Sequence, residues 1–185
     1  MKKIALFLIL VIITSCASTN SGLKEPSPEL KEIISQASLD ISPRWATPQL
    51  TISLAQLNAL GATGNNGVGS RIDIRGNTSY FRFSKDSVSA SLPFFGDRHF
   101  GSLTSNIDQG INFDGVPEDL KIEQEGANYK IWFKIRDKNL KRERYDVYVK
   151  VNSKLVGIID INSTHRSSMS YEGRIEEKDD ETASL

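Results

Sequence analysis

Tyr129-Lys130-Ile131-Trp132-Phe133-Lys134-Ile135-Arg136 and, beyond the connection 137–144, Tyr145-Asp146-Val147-Tyr148-Val149-Lys150-Val151-Asn152 both alternate between apolar and polar positions. Tyr129, Ile131, Phe133 and Ile135 share one side of the first run; Tyr145, Val147, Val149 and Val151 share one side of the second. A period of two sends successive side chains to opposite faces of an extended chain, so each run reads as a half-buried strand with one wet face. That is the pattern of antiparallel sheets, which solvate one side. Pairing Ile131 opposite Val149 puts Trp132 against Tyr148 on the outer surface and Lys134 against Asp146. A shift of two residues would preserve the faces. An aromatic pair on a wet face needs a cover or a purpose. Either an N-terminal amphipathic helix docks on it, or it is a binding surface.

The same period extends through most of the chain. Leu50, Ile52 and Leu54 alternate with Thr51, Ser53 and Ala55. Ile72 and Ile74 share a face of Arg71–Arg75, and Phe81 and Phe83 alternate with Tyr80 and Arg82. Val88, Ala90 and Leu92 alternate with serines, and Met169, Tyr171 and Ile175 share a face near the end. Gly76-Asn77, Lys85-Asp86, Glu125-Gly126-Ala127-Asn128, Asn152-Ser153 and Asn162-Ser163 sit between these runs at hairpin spacing. The chain is therefore expected to be all-β, an antiparallel meander of about nine or ten strands closed as a barrel or stacked as a sandwich. This β domain runs over 48–176. One short helix is expected over 28–38, with Ser27 as N-cap, Pro28 at the first helical position and Leu30, Ile33, Ile34 and Ala37 as its apolar stripe. Ser42-Pro43 ends that segment. The acidic run over 177–185 reads as a structureless tail.

The N-terminus speaks to location. Met1-Lys2-Lys3 precedes an unbroken apolar run from Ile4 to Ile13. As a helix that run would span about 15 Å, half of the roughly 30 Å of a bilayer core, so it reads as a secretory signal over 1–15 and not as a membrane span. Ile13-Thr14-Ser15-Cys16 resembles a bacterial lipobox. That resemblance implies cleavage before Cys16 and acylation of its sulfur and amine, which anchors the chain in a membrane. Residues 16–27 would then be the lipidated Cys and a polar tether. The full chain of 185 residues balances 23 Lys and Arg against 23 Asp and Glu, and loss of Lys2 and Lys3 leaves 21 positive against 23 negative side chains, a net of −2. Such a surface does not favour nucleic acid as a partner. The single Cys excludes an internal disulfide framework and a thiolate-rich zinc site.

Catalytic and metal signatures are weak. His99 and His165 are the two histidines, and neither has a carboxylate at triad or metal spacing. Asp108, Asp114 and Asp119 do not make a calcium loop, and Gly61 to Gly69 lacks the Gly-Lys-Ser/Thr of a phosphate loop. No metal and no cofactor are expected. Leu92-Pro93-Phe94-Phe95-Gly96-Asp97-Arg98-His99-Phe100 stands out. Pro93 stops a strand, adjacent aromatics cannot both point inward, and an Arg beside them suits stacking on a ligand or plugging the end of a barrel.

The order of the Gly-rich loop, Ser70-Arg71-Ile72-Asp73-Ile74, Tyr80–Phe83, Asp86-Ser87-Val88, Leu92-Pro93-Phe94-Phe95-Gly96, Ile111-Asn112-Phe113, Arg166 and Ser170-Tyr171-Glu172-Gly173 resembles an uncharacterised family of Bacteroidetes lipoproteins, domain of unknown function 4251. The likeness covers roughly Gln49 to Glu176. At its most specific element the family usually has Leu-Pro-Tyr-Phe-Gly-Arg-Ala-Tyr; here Phe94 replaces Tyr, and Asp97 follows Gly96. The resemblance implies fold and location and carries no activity.

The sequence thus leads to a non-enzymatic outer-membrane lipoprotein facing the periplasm. Its β module would bind a small apolar or amphipathic ligand, or an envelope protein, through Phe94, Phe95, Arg98, Trp132 and Arg166. The membrane would be a partner through the acyl chains on Cys16. Two rival readings are an envelope hydrolase gathering Asp97, His99 and Asp114 in a cleft, and a purely structural envelope protein.

Overall fold

The computed structural model describes residues 25–49, 71–99 and 110–176. Cys16 with its leader, the run Leu50–Leu54, the Gly61–Gly69 loop, Phe100, Asp108 and the acidic tail lie outside the described residues. Helix α1 (Pro28–Ser35) is followed by β1 (Ser38–Pro48), β2 (Ile72–Asp73), β3 (Tyr80–Ser84), β4 (Ser87–Leu92), β5 (Ile111–Gly115), β6 (Glu118–Glu125), β7 (Asn128–Arg136), β8 (Arg144–Asn152), β9 (Val156–Ser163) and β10 (Met169–Ile175). One antiparallel sheet runs β5-β4-β3-β1-β10-β9-β8-β7-β6, with β2 added on β1, and curls into a half-barrel. The all-β reading holds, with one short helix among the described residues. So does the register of β7 on β8: Ile131 faces Val149, Trp132 faces Tyr148 and Lys134 faces Asp146.

The concave side is the core. Phe81, Phe113, Phe133 and Tyr145 are buried there, and Phe113 lies 6.2 Å from Phe133 and 6.0 Å from Tyr145 between ring centroids. Edge and tilted contacts of this kind suit the quadrupoles of the rings. Curling brings β5 to the far end of β7, where the Lys138 amide donates to the Asn112 carbonyl at 2.8 Å. β6 follows β7 in the sheet and is exposed along its whole length.

Two features differ from the sequence expectation. Ser38–Pro48, which the expected bounds of the helix (28–38) and the β domain (48–176) leave almost entirely between the two, is the central strand β1, joining the β3-β4-β5 arm to the β10-to-β6 arm. Its prolines are tolerated because Pro43 sits where the partner on one side changes. β3 pairs with Ser38–Ile41, β2 pairs with Trp45 and Ala46, and a bulge against β10 falls between Pro43 and Trp45. A residue with no N–H fits such a gap. Gly173 lies opposite this bulge, where a Cβ would sit 2.2 Å from the Ser42 carbonyl oxygen.

The second difference is where α1 docks. Ser27 caps it as expected, accepting from the Leu30 amide at 3.3 Å, and the helix stops at Ser35 because Ala37 turns left-handed at φ 47°. Leu30 is fully buried in the core cluster, with Ile33, Ile34 and Ala37 packed against that cluster. The Ser27 amide donates to Ser153 Oγ at 3.0 Å, and the Lys85 amide donates to the Ala37 carbonyl at 3.0 Å. The helix therefore closes the concave side at the end where the β3–β4 and β8–β9 turns meet, and it does not cover the Trp132–Tyr148 pair. The stripe goes to the apolar side because the half-barrel leaves core side chains open there, whereas Trp132 is flanked by Lys121 and Lys134, whose ammonium groups lie 5.2 and 5.5 Å from the ring.

Candidate functional site

At the end of the half-barrel away from α1, the segment after β4, the 137–143 connection and the 164–168 turn come together. Arg166 is their centre, with a side chain 1% exposed. Its Nη2 donates to Glu143 Oε2 at 2.9 Å, its Nη1 donates to the Gly110 carbonyl at 2.6 Å, and its Nε lies 2.7 Å from Glu143 Oε1. Asp137 Oδ2 is 3.7 Å from Nη2. Two carboxylates thus face one guanidinium, and neutral donors satisfy the remaining lone pairs. Asp137 Oδ1 accepts from the Asn139 and Leu140 amides at 2.7 Å, and its Oδ2 accepts from the Tyr145 hydroxyl. Ser163 Oγ donates to Glu143 Oε1 at 2.6 Å. Burial of charge on this scale requires pairing and hydrogen bonds together.

The Leu92–His99 segment lies over this network. Phe94 faces Arg166, whose guanidinium carbon is 5.3 Å from the ring centroid. Asp97 and Ser167 exchange bonds: the Asp97 amide donates to Ser167 Oγ at 3.0 Å and the Ser167 amide donates to the Asp97 carbonyl at 2.9 Å. Arg98 and Arg166 form an isolated antiparallel bridge, and the His99 amide donates to the His165 carbonyl at 2.8 Å. The Tyr171 hydroxyl donates to the Pro93 carbonyl at 2.7 Å. Burial holds the Tyr171 phenol well above the usual tyrosine range, and the Tyr145 phenol is raised likewise by burial first and then by its bond to Asp137. Both therefore act as neutral donors. Gly96 is required here, since a Cβ would lie 2.0 Å from Ser167 Oγ and 2.9 Å from the tip of the Phe94 ring.

Beside Phe94 is an open cleft of 540 Å³. Gly76, Asn77, Thr78 and Ser79 form one part of its lining, and Ser91, Leu92, Pro93, Phe94 and Gly110 the rest. Hydroxyls and backbone groups offer both donors and acceptors around two apolar side chains and a proline. A volume in the hundreds of Å³ matches a small-molecule site.

Of the residues singled out from sequence, Phe94, Arg98 and Arg166 come together here. Phe95, 38% exposed, follows Phe94 in the same segment. Trp132 does not join them; it lies on the outer face of β7. Asp97 and His99 adjoin the turn at Arg166 through their backbones. Asp114 is on the exposed side of β5, 3.3 Å from the Lys138 ammonium, with both side chains more than half exposed. Among the described residues no group of three or more His, Cys, Asp or Glu side chains is placed to hold a metal ion. Asp137, Glu143, Ser163 and the Tyr145 hydroxyl escaped the sequence reading. The run Asp137 to Arg144 looks like a solvated hairpin, and its one local signal is an Asp two residues before Asn139, the spacing of an Asx turn.

No curated protein and no solved structure matches the chain. A family profile described as domain of unknown function (DUF4251) matches residues 24–175, which takes in α1, every described strand and the Arg166 network. The chain belongs to that family.

Proposed function

We propose that this protein is a lipid-anchored, periplasm-facing binding module of the cell envelope, a lipoprotein of the Bacteroidetes type held in the outer membrane through Cys16. Its cleft beside Phe94 would take a small amphipathic ligand. One observation carries the binding reading: the concave side is filled by the chain's own rings, while the cleft is open and its aromatic wall rests on a buried ionic network. A rigid wall of this kind lowers the ordering cost of binding. Arg98, exposed at the same end, supplies a cation for an acidic group on the ligand. Anchoring rests on the lipobox alone.

Native mass spectrometry of the protein released from membranes in mild detergent tests the ligand. The expected result is a mass adduct lost in Phe94→Ala and weakened in Arg98→Ala. Protein free of any adduct, with no gain from added envelope lipid extract, would return the module to a purely structural role. Metabolic labelling with radioactive palmitate tests the anchor: label is expected on the wild-type chain and absent from Cys16→Ala. Equal labelling of both chains would remove Cys16 as the anchor.

A further inference from the structure

The strand β6 presents a surface separate from the cleft. Among the described residues it pairs with β7 alone, and no described strand takes up the backbone donors and acceptors of its other edge. Such edges are templates for another strand unless they are blunted. The first part of β6 is blunted by Pro117 before it, by the left-handed Asp119 (φ 56°) and by a bulge between Glu118 and Lys121. From Lys121 to Glu125 the strand runs in regular register with β7, and its edge is guarded by the charges of Lys121, Glu123 and Glu125 alone. Ile122, 40% exposed, lies opposite the buried Ile131 and so extends the concave apolar face to the rim.

The charges specify the occupant. Glu118, Asp119 and Glu125 are matched within the chain by Arg144 at 3.3 Å, Lys134 at 2.9 Å and Lys130 at 2.5 Å. Among the described residues Glu123 has no ion pair, and Lys121 lies against the Trp132 ring instead of a carboxylate. Two copies of a strand pairing edge to edge about a two-fold axis normal to the sheet place residues opposite each other in a register centred on one residue. Centring on Glu123 sets Glu123 against itself and Lys121 against Glu125, a carboxylate that Lys130 of its own chain already holds. Centring on Lys121 sets Lys121 against itself and Asp119 against Glu123. Centring on Ile122 sets Ile122 against Ile122 and Lys121 of each copy against Glu123 of the other, twice over; Asp119 then falls opposite Glu125, and each of these two acids is already held by a lysine of its own chain. We infer that a second copy of this chain pairs antiparallel with β6 about a two-fold axis at Ile122, extending the sheet through both copies. This inference does not depend on the cleft or on its ligand.

Sedimentation equilibrium of the full chain in detergent, after matching the detergent density, tests it. The wild-type chain is expected at twice the protomer mass. Lys121→Glu and Glu123→Lys each turn two attractive cross-strand pairs into repulsive ones and are expected to weaken association roughly tenfold or more. The double reversal Lys121→Glu with Glu123→Lys restores opposite charges across the axis and is expected to recover the dimer. Circular dichroism checks that the variants keep their strands. Independently, Ile122→Cys is expected to link two copies on mild oxidation, because directly opposed Cβ atoms lie about 4.5–5.5 Å apart in an antiparallel pair. A wild-type chain that stays monomeric across the concentration range overturns the proposal. So does a dimer indifferent to both reversals, or β6 found occupied by a different protein with no second copy present.

Discussion

Replacing Arg166 by Met removes the one cation that, among the described residues, is paired with the two buried carboxylates of Asp137 and Glu143. The side chain is 1% exposed and touches Glu143 twice, at 2.7 and 2.9 Å, and the Gly110 carbonyl once. In the variant, Glu143 keeps the Ser163 hydroxyl but no cation, 2% exposed and near Asp137. Breaking a buried pair from one side costs about 3–5 kcal/mol, mostly as the penalty of the stranded charge. Against a total stability of about 5–15 kcal/mol this is a large fraction. With a urea slope of about 2 kcal/mol per M, the unfolding midpoint should fall by about 2 M with the slope unchanged. The partner variant Glu143→Leu leaves Arg166 with Asp137 and Gly110, and it should cost less. The decisive measurement is the double variant. If stranded charge dominates, Arg166→Met with Glu143→Leu loses about 2 kcal/mol less than the sum of the singles. Strict additivity, or a loss under about 1 kcal/mol for Arg166→Met, would refute the view that the network anchors this end through charge.

Further outcomes follow from other contacts. Gly173→Ala meets the Ser42 carbonyl, a backbone atom, whereas Gly157→Ala meets the Cδ1 end of Ile41 at 2.6 Å. Thermal unfolding should show a loss of about 1–3 kcal/mol or more for the first and a smaller one for the second, relieved by Ile41→Val. Leu30→Ala deletes a fully buried side chain from α1 and should cost about 2–5 kcal/mol, with amide exchange rising first in α1 and the β8–β9 turn. The Arg75 side chain bonds Asp73 and holds its carboxyl down at about 2, against an ordinary value of 3.8. A lowered folded value means that any stabilisation from this pair is present above pH 3.8 and lost as pH falls through about 2. Carbon-detected NMR titration should place Asp73 near that value and return it to the ordinary range in Arg75→Ala.

How far these sites can be read from sequence depends on whether their signal is local. The β7–β8 register was legible because two long alternating runs fix the faces and one cross-strand pairing fixes the rest. β1 was not, because Pro43 and Pro48 argue against a strand unless the gap between β3 and β2 is already known. β9 was obscured by adjacent Ile158 and Ile159, which break the period; the first is half-exposed and the second is buried. β6 carries Leu120 and Ile122 among charges and buries neither fully, so burial left no pattern to find. Phe94 and Arg98 stand out by the chemistry of their segment and Arg166 through the family resemblance, and the structure brings the three together. Glu143 and Asp137 were invisible for the opposite reason. An acid in a polar hairpin is ordinary, and only the arrival of Arg166 from a distant turn makes it buried and paired.

The strand order also separates the two proposed surfaces. The cleft is built on the segment before β3, the end of β4 with the residues after it, and Gly110 before β5, while the open edge belongs to β6, with β1, β10, β9, β8 and β7 lying between β3 and β6 in the sheet. Sites so placed share no side chain, so substitutions at Lys121 or Glu123 should leave the cleft unaltered and their effects should add to those at Phe94. A pair of chains joined at β6 then carries two clefts with no cleft residue spent on the interface. For a ligand with repeated groups, occupation of one cleft raises the local concentration at the other, and apparent affinity rises without any new contact. Charge reversal at β6 should therefore weaken binding of such a multivalent ligand while leaving binding of its single unit unchanged.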